Sequence, residues 1–207
     1  MEKKKIYCLD FDGTITTADT LLAFIRYAKG DITFLLGFLL YSPLLILMKL
    51  HLYPNWKAKQ RLFSYFFRGM RIEQFDKLCQ DFALDNQHLL RPAAVQLIHE
   101  ACIRGGQVLV ISASIDYWVR PFFLQRNLQP VTVLGTKIEI KAGIVTGRFL
   151  SANCYGEEKV RRICEALNIT TTSEKRKMMY ISAFGDSRGD KEMLAFADEG
   201  HYKPFRI

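Results

Sequence analysis

The chain has 207 residues, 49% of them hydrophobic and 24% charged. That supplies one sizeable core plus a small accessory unit and excludes a disordered chain. A formal net charge of +8 implies attraction to anions such as phosphate esters, nucleic acid or acidic lipid, without choosing among them.

The first apolar run, residues 6–9, reads as a buried strand. It follows a basic start, Met1-Glu2-Lys3-Lys4-Lys5. The run stops at Asp10, too early for the apolar core of a signal peptide, so the cytoplasm is expected. A polar loop follows over residues 10–17, rich in Asp, Gly and Thr. Apolar residues then recur at helical spacing (Leu21, Leu22, Phe24, Ile25, Ala28), and helix is predicted onward to about Leu90. This stretch contains residues 32–48, seventeen positions without a charge. A bilayer span takes about 20 residues. Gly37 and Pro43 lie inside the run, and Pro43 is expected to kink or end a helix. Buried or membrane-touching helices fit better than a transmembrane span. Further helices are predicted over 55–68 and 72–90, with Pro54 and Gly69 as punctuation, and another begins at Pro92.

Beyond residue 106 the pattern changes. Strands are predicted over 107–111, 131–133, 136–140, 144–149 and 178–184, and helices over 116–127 and 157–167. A last helix follows the loop 185–190. Lys141-Ala142-Gly143 reads as a hairpin turn. The expected fold class is α/β: a Rossmann-like parallel sheet with helices on both faces, an inserted all-helical cap and a small β-hairpin. Residues 1–17 and 91–207 form the core and residues 18–90 the cap. The five cysteines (Cys8, Cys79, Cys102, Cys154, Cys164) are odd in number and scattered, with no CxxC pair. Neither zinc nor a disulfide framework is therefore expected, and a reducing compartment fits.

Three polar motifs fall at the carboxyl ends of strands, where such sheets bind ligands. They are Asp10-Phe11-Asp12-Gly13-Thr14, then Ser112 after Gln107-Val108-Leu109-Val110-Ile111, then Gly185-Asp186-Ser187-Arg188-Gly189-Asp190. Carboxylates at the end of a buried strand are costly unless they bind a cation. Oxygen ligands with water and a substrate phosphate suit Mg²⁺. A polar turn capped by its own carboxylates is the plainer reading. The motif's placement after an apolar strand, together with the later Asp loop, weighs against it.

Together with Lys159 near the start of a helix, these motifs resemble the haloacid dehalogenase superfamily, in its phosphoserine-phosphatase-like branch. The resemblance covers nearly the whole chain. It implies a phosphatase that is Mg²⁺-dependent and acts on a phosphate monoester. Asp10 would be the nucleophile that carries an aspartyl-phosphate, and Asp12 the general acid and base. Mg²⁺ would sit on Asp10, Asp186 and the backbone carbonyl of Asp12. Phosphate oxygens would be held by Ser112, Ala113, Lys159 and the loop through Phe11, Gly13 and Thr14, with Asp190 in support. The second Asp argues for an alcohol leaving group rather than a halide.

Alternatives remain open at single positions. Ser112 or Ser114 could cap the following helix. Arg161 or Arg162 could replace Lys159, and Asp190 could be an N-cap. Two departures bear on substrate. Gly189 stands where phosphoserine phosphatases often carry Asn, and Asp19 stands where they place a substrate-binding Glu. The substrate is either a small phosphorylated metabolite or a lipid phosphate, since phosphatidylglycerophosphate phosphatases of this branch carry a similar apolar cap.

The cap has no Asp or Glu from residue 32 through 72. Cations (Lys49, Lys57, Lys59, Arg61, Arg68, Arg71) alternate there with aromatic residues. Contact with an anionic membrane through residues 32–71 is one reading. Aromatic cap core with a solvated cationic face is the other. No recognised nucleic-acid module is present, so no nucleic-acid partner is expected. The alternative from a different functional class is a membrane-surface or anion-binding protein of this fold without hydrolase activity.

Overall fold

The computed structural model describes residues 3–50, 52–124, 126, 128 and 130–206, so Met1, Glu2 and the end of the helix expected up to Asn127 lie outside the described residues. The strands in chain order are β1 (Lys4–Leu9), β2 (Gln107–Ile115), β3 (Val131–Thr136), β4 (Ile138–Lys141), β5 (Ile144–Phe149), β6 (Met179–Gly185) and β7 (Glu199–Tyr202). Five of them form one sheet in the order β3-β2-β1-β6-β7, and every neighbouring pair is parallel. The helices are α1 (Thr20–Lys49), α2 (Asn55–Phe67), α3 (Ile72–Asp85), α4 (Pro92–Ile103), α5 (Asp116–Leu124), α6 (Glu157–Leu167), α7 (Glu174–Lys177) and α8 (Lys191–Phe196).

The α/β class with a separate hairpin is as the sequence implies. Strand alternation explains the two cores. Leu9, Val108 and Val110 turn to the face covered by α4 and α5. Ile6, Cys8, Leu109 and Ile111 turn to the face covered by α6 and α8. β1 lies at the centre, which places its carboxyl end, Asp10, between the loops that follow β2 and β6. The edge strand β7 was not foreseen; its polar sequence Glu199-Gly200-His201-Tyr202 gives little apolar signal, and pairing with β6 creates it. All five cysteines are free.

Between β1 and α4 the chain builds α1–α3, which an aromatic seam joins to the sheet domain. Phe24 of α1 stacks on Trp118 of α5 at 4.8 Å. Phe75 and Phe82 of α3 meet Tyr117 and Phe122 of α5. Hairpin β4–β5 lies against this unit: Phe149 N–H donates to Gln60 Oε1 at 2.8 Å, and Ile72 N–H to the Gly143 carbonyl at 2.8 Å. Ala142 and Gly143 both take positive φ, the backbone a two-residue hairpin turn of this hand requires.

Two expectations about α1 are corrected. Pro43 neither ends nor breaks the helix, which continues to Lys49. Proline lacks the N–H that would satisfy the carbonyl four residues back, and here Ser42 Oγ donates to that carbonyl, Leu39, at 2.8 Å. The break lies earlier, at Gly30, with φ 77° and ψ 166°. Beyond it one side of the helix stays packed, with Gly37 buried against Phe66 and with Phe34, Phe38 and Tyr41 against the core, while the other side is bare. Ile32, Leu35, Leu36, Leu39, Leu40, Ile46 and Leu47 are all exposed, so the apolar run is not a buried helix. By length and composition alone α1 could cross a membrane.

Candidate active site

Asp10 follows β1 directly and is buried, with its N–H bonded to the Phe184 carbonyl of β6 at 2.9 Å. Residues Phe11–Ile15 form a single tight turn closed by Thr16 N–H on the Phe11 carbonyl at 2.9 Å. Gly13 within it has φ 79°, and a Cβ there would lie 2.5 Å from Asp186 Oδ2. Only glycine therefore lets the first loop approach the loop after β6. Thr14 Oγ1 bridges the two loops, 3.3 Å from Asp10 Oδ2 and 3.4 Å from Asp186 Oδ1. Phe11 buries its ring against Phe122 and Phe123, so only its backbone can face a ligand.

Lys159 enters from the first turn of α6 and is almost wholly buried. Its Nζ lies 2.5 Å from Asp10 Oδ1, 2.5 Å from Asp190 Oδ1 and 2.9 Å from the Ile111 carbonyl. Arg161 is exposed and pairs with Glu158 and Glu165. Arg162 is buried, and it ties Glu158 to the Gly135 and Ala152 carbonyls. The choice of Lys159 over its two neighbours is thus a matter of geometry. Asp190 makes no side-chain cap on α8. Its Oδ2 instead gathers the loop, accepting from Ser187 N–H at 2.9 Å, Ser187 Oγ at 2.7 Å and Asp186 N–H at 3.2 Å.

Asp12 is held at the junction of three elements. Its Oδ1 accepts from Thr20 N–H at 2.7 Å and Thr20 Oγ1 at 2.5 Å, at the start of α1. Its Oδ2 accepts from Ser114 Oγ at 2.5 Å. Ser112 is fully buried; its Oγ accepts from Ser114 N–H at 2.9 Å and lies 3.5 Å from Asp12 Oδ2. Asp19 caps α1, with Oδ1 accepting from Leu21 N–H at 3.0 Å and Leu22 N–H at 3.3 Å.

These groups surround a cavity of about 360 Å³. Asp10, Asp12, Gly13, Asp19, Ala113, Lys159 and Asp186 line it; Ser112, fully buried, is not on its wall. Asn55 and Lys59 of α2 and Tyr155 complete the wall. The sequence marked Lys59 only as one of several cap cations, and Asn55 and Tyr155 not at all. Their arrival depends on how the cap docks, which leaves no local signal beyond the i, i+4 spacing of Asn55 and Lys59 on one helix face. Lys57 and Arg61 instead lie over the rings of Trp56 and Tyr53.

Burial pushes the Asp10 carboxyl up to about 7, although the Lys159 ammonium pulls the other way. Burial alone would also raise Asp190, but Lys159 and the Ser187 bonds outweigh it, holding Asp190 below the ordinary carboxylate range. Lys159 keeps its proton beyond the usual lysine range: burial opposes this, and the two carboxylates win. One oxygen each of Asp10, Asp186 and Asp190 falls within 4.8 Å of the others. An all-oxygen, carboxylate-rich donor set fits a hard divalent cation. Asp10 and Asp186 line the cavity and Asp190 does not, so Asp10 and Asp186 are the carboxylates that could hold one facing a substrate. Asp186 also pairs with Arg206 near the end of the chain.

The sequence matches the family model of haloacid dehalogenase-like hydrolases over residues 8–195. The chain belongs to that family. A curated relative, "Protein CicA" of Caulobacter vibrioides strain NA1000 / CB15N, is 31% identical over 203 residues, covering 97% of this chain and 86% of that protein. Among solved structures, a protein of unknown function from Bordetella pertussis Tohama I aligns with TM-score 0.73 at 16% identity, over 94% of this chain and 87% of that one. A phospho-aspartyl intermediate analogue of phosphoserine phosphatase aligns with TM-score 0.58 at 19% identity, over 95% and 84% respectively. At these identities the two structures establish the fold.

Proposed function

We propose that this haloacid dehalogenase-like hydrolase is a Mg²⁺-dependent phosphatase that cleaves a phosphate monoester through an aspartyl-phosphate on Asp10. The observation that carries the reading is the buried Asp10–Lys159–Asp190 triad facing Asp186 at the carboxyl edge of the sheet. Asp10, Asp186 and the backbone carbonyl of Asp12 would hold Mg²⁺, which would offset the negative charge of the substrate phosphoryl group. Lys159 fixes the Asp10 carboxylate and keeps a positive charge beside the phosphate oxygens. The N–H groups of the loop through Phe11, Gly13 and Thr14, with Ala113, hold the remaining oxygens; Ser112, off the cavity wall, bonds Ser114 instead.

An Asp10 oxygen attacks phosphorus as the ester P–O bond breaks. Asp12 delivers its proton to the departing alkoxide, giving the alcohol. Asp12 then takes a proton from water as that water attacks phosphorus and releases Asp10. Its three-point anchorage by Thr20 and Ser114 ties this carboxylate to the first turn of the cap. Asp190 orders the Asp186 loop and Lys159 together.

For the substrate, the exposed apolar half of α1 favours a lipid phosphate over a small metabolite such as phosphoserine. Around it the cap presents Lys49, Lys57, Arg61 and Arg68 with no acid between residues 32 and 72. This surface suits an anionic membrane. The test is hydrolysis by the purified chain with and without Mg²⁺, alongside Asp10→Asn. Phosphatidic acid in mixed micelles is compared with phosphoserine. Activity that requires Mg²⁺, disappears in the variant and prefers the lipid supports the reading. Full activity in Asp10→Asn refutes the covalent mechanism, and a preference for phosphoserine refutes the lipid assignment.

A further inference from the structure

Beside the catalytic cavity lies a second one of about 1200 Å³, for which the proposed chemistry has no use. It is formed where the end of α1 turns into α2 and where β5 runs into the loop before α6. Met48, Leu52, Trp56, Phe149, Leu150 and Tyr155 supply its apolar wall, with Lys49, Gln60 and Asn153 among the polar side chains beside them. Several of these side chains keep large exposed areas: Leu52 is 72% and Leu150 68% accessible. Exposed apolar surface around a concave site marks a binding surface rather than unfilled core.

The position of this cavity names its occupant. It shares Asn55 and Tyr155 with the catalytic cavity, so the two spaces meet at those side chains. The ring of Tyr155 rests on the loop after β6: a Cβ on Gly189 would lie 2.5 Å from it. A phosphoryl group at Asp10 therefore has its ester substituent leading past Asn55 and Tyr155 into an apolar chamber. We infer that this chamber binds an unbranched hydrocarbon chain of the leaving group, making it a chain-binding subsite of the enzyme. The inference rests on the phosphatase reading for its geometry, but binding in the chamber needs no catalysis.

The subsite makes two measurable claims. First, kcat/KM for n-alkyl phosphates rises with chain length, by up to about fourfold for each methylene that enters the chamber. From butyl to octyl phosphate the expected gain is on the order of 10²-fold, and Leu52→Asp or Leu150→Asp flattens it. A flat dependence in the wild type overturns the inference.

Second, the metal-free protein binds 8-bromooctylphosphonate, a non-hydrolysable probe whose bromine quenches tryptophan on contact. Of the two tryptophans, Trp56 lines the chamber and Trp118 is buried beneath the cap. Quenching is expected to saturate below the probe's micelle concentration, to vanish in Trp56→Phe and to weaken in Leu150→Asp. Quenching that persists in Trp56→Phe, or never saturates, overturns the subsite. So does Trp56 emission that changes with protein concentration alone, because a second copy of the chain would then cover the chamber. Saturable quenching in a protein that hydrolyses no phosphate ester leaves the subsite standing and removes the phosphatase reading.

Discussion

Lys159→Met removes the cation from between two buried carboxylates and leaves their oxygens in place. The Lys159 Nζ is 2.5 Å from each, and the acidic oxygens of the cluster lie within 4.8 Å of one another. At that separation, with an effective dielectric of about 20, two unit charges repel by roughly 3.5 kcal/mol. That agrees with the ~3–5 kcal/mol lost when one partner of a buried pair is deleted. For a chain of this size each kcal/mol moves the midpoint by about 2–4 °C. The variant is therefore expected to melt roughly 6–20 °C below the wild type at pH 8 without metal. At pH 5 the loss shrinks, because Asp10 regains its proton and the repulsion disappears. Saturating Mg²⁺ recovers more stability in the variant than in the wild type, since the ion replaces the missing positive charge. Calorimetry at both pH values, with and without Mg²⁺, measures all three effects. A drop below 2 °C at pH 8, or an equal drop at pH 5, refutes the assignment of Lys159 as the charge that holds this cluster together.

Asp10 also makes metal binding depend on pH. Its folded carboxyl is raised to about 7 from 3.8, so metal-free stability from this group is present below about 4 and lost as pH rises through 7. Mg²⁺ needs the carboxylate, and its apparent affinity should climb about tenfold per unit up to pH 7 and level off above, as read by titration calorimetry. Asp12→Asn should cost about 10²–10⁴ in kcat/KM, which reports the first phosphoryl transfer, for an alkyl phosphate and much less for p-nitrophenyl phosphate, whose leaving group needs no proton; equal losses in kcat/KM on both would remove Asp12 from the role of general acid. In Gly13→Ala, the added Cβ meets Asp186 and the φ of 79° is strained; a loss of more than 1 kcal/mol in stability together with weaker Mg²⁺ binding is expected, and a wild-type Mg²⁺ affinity would contradict the close approach of the two loops. Leu35→Glu with Leu39→Glu changes only exposed side chains, so the melting temperature should stay put while flotation with phosphatidylglycerol vesicles is lost; unchanged flotation would detach the membrane from α1.

The candidate site's position at the sheet edge was legible because its residues are bound to strand ends. A buried parallel strand is a short apolar run, and the polar residue that ends it must face the sheet's carboxyl edge, so Asp10, Ser112 and Asp186 could be placed together without coordinates. Lys159 was legible only through order in the chain; nothing in Glu157-Glu158-Lys159 distinguishes a buried cation from Arg161, which is solvated, or Arg162, which is buried for another purpose. The cap was legible as helix but not as shape. Hydropathy marks residues 32–48 as apolar whether they are covered or bare, and Gly30, which redirects them outward, is a single unremarked glycine. Pro43 misled because the local rule counts its missing N–H and cannot see Ser42 supplying a replacement. Asn55 and Tyr155 meet only after α2 and the loop before α6 have docked, so no window of sequence contains them.

How substrate arrives follows from the seam under the cap. Opening the cap away from the sheet domain would separate Phe24 from Trp118, Phe75 from Tyr117 and Phe82 from Phe122. At about 0.5–1.5 kcal/mol per ring pair beyond buried area, three pairs hold the closed form by roughly 1.5–4.5 kcal/mol. Each 1.4 kcal/mol is a factor of about ten, so open molecules are fewer than about one in ten from this contribution alone. Thr20 adds a second tie, since it bonds both Asp12 in the catalytic loop and the Trp118 indole. A cap anchored through Asp12, the proposed general acid, is poorly suited to swing clear on every turnover. The chamber beside Asn55 and Tyr155 offers a route that leaves the seam intact. It opens at the end of α1, where the bare apolar half of that helix would meet a bilayer. Trp118→Leu, by loosening the seam, should then lower stability and blur the positioning of Asp12, reducing kcat, without raising the rate of substrate entry read as kcat/KM. A rise in kcat/KM in that variant would show that the cap itself is the gate.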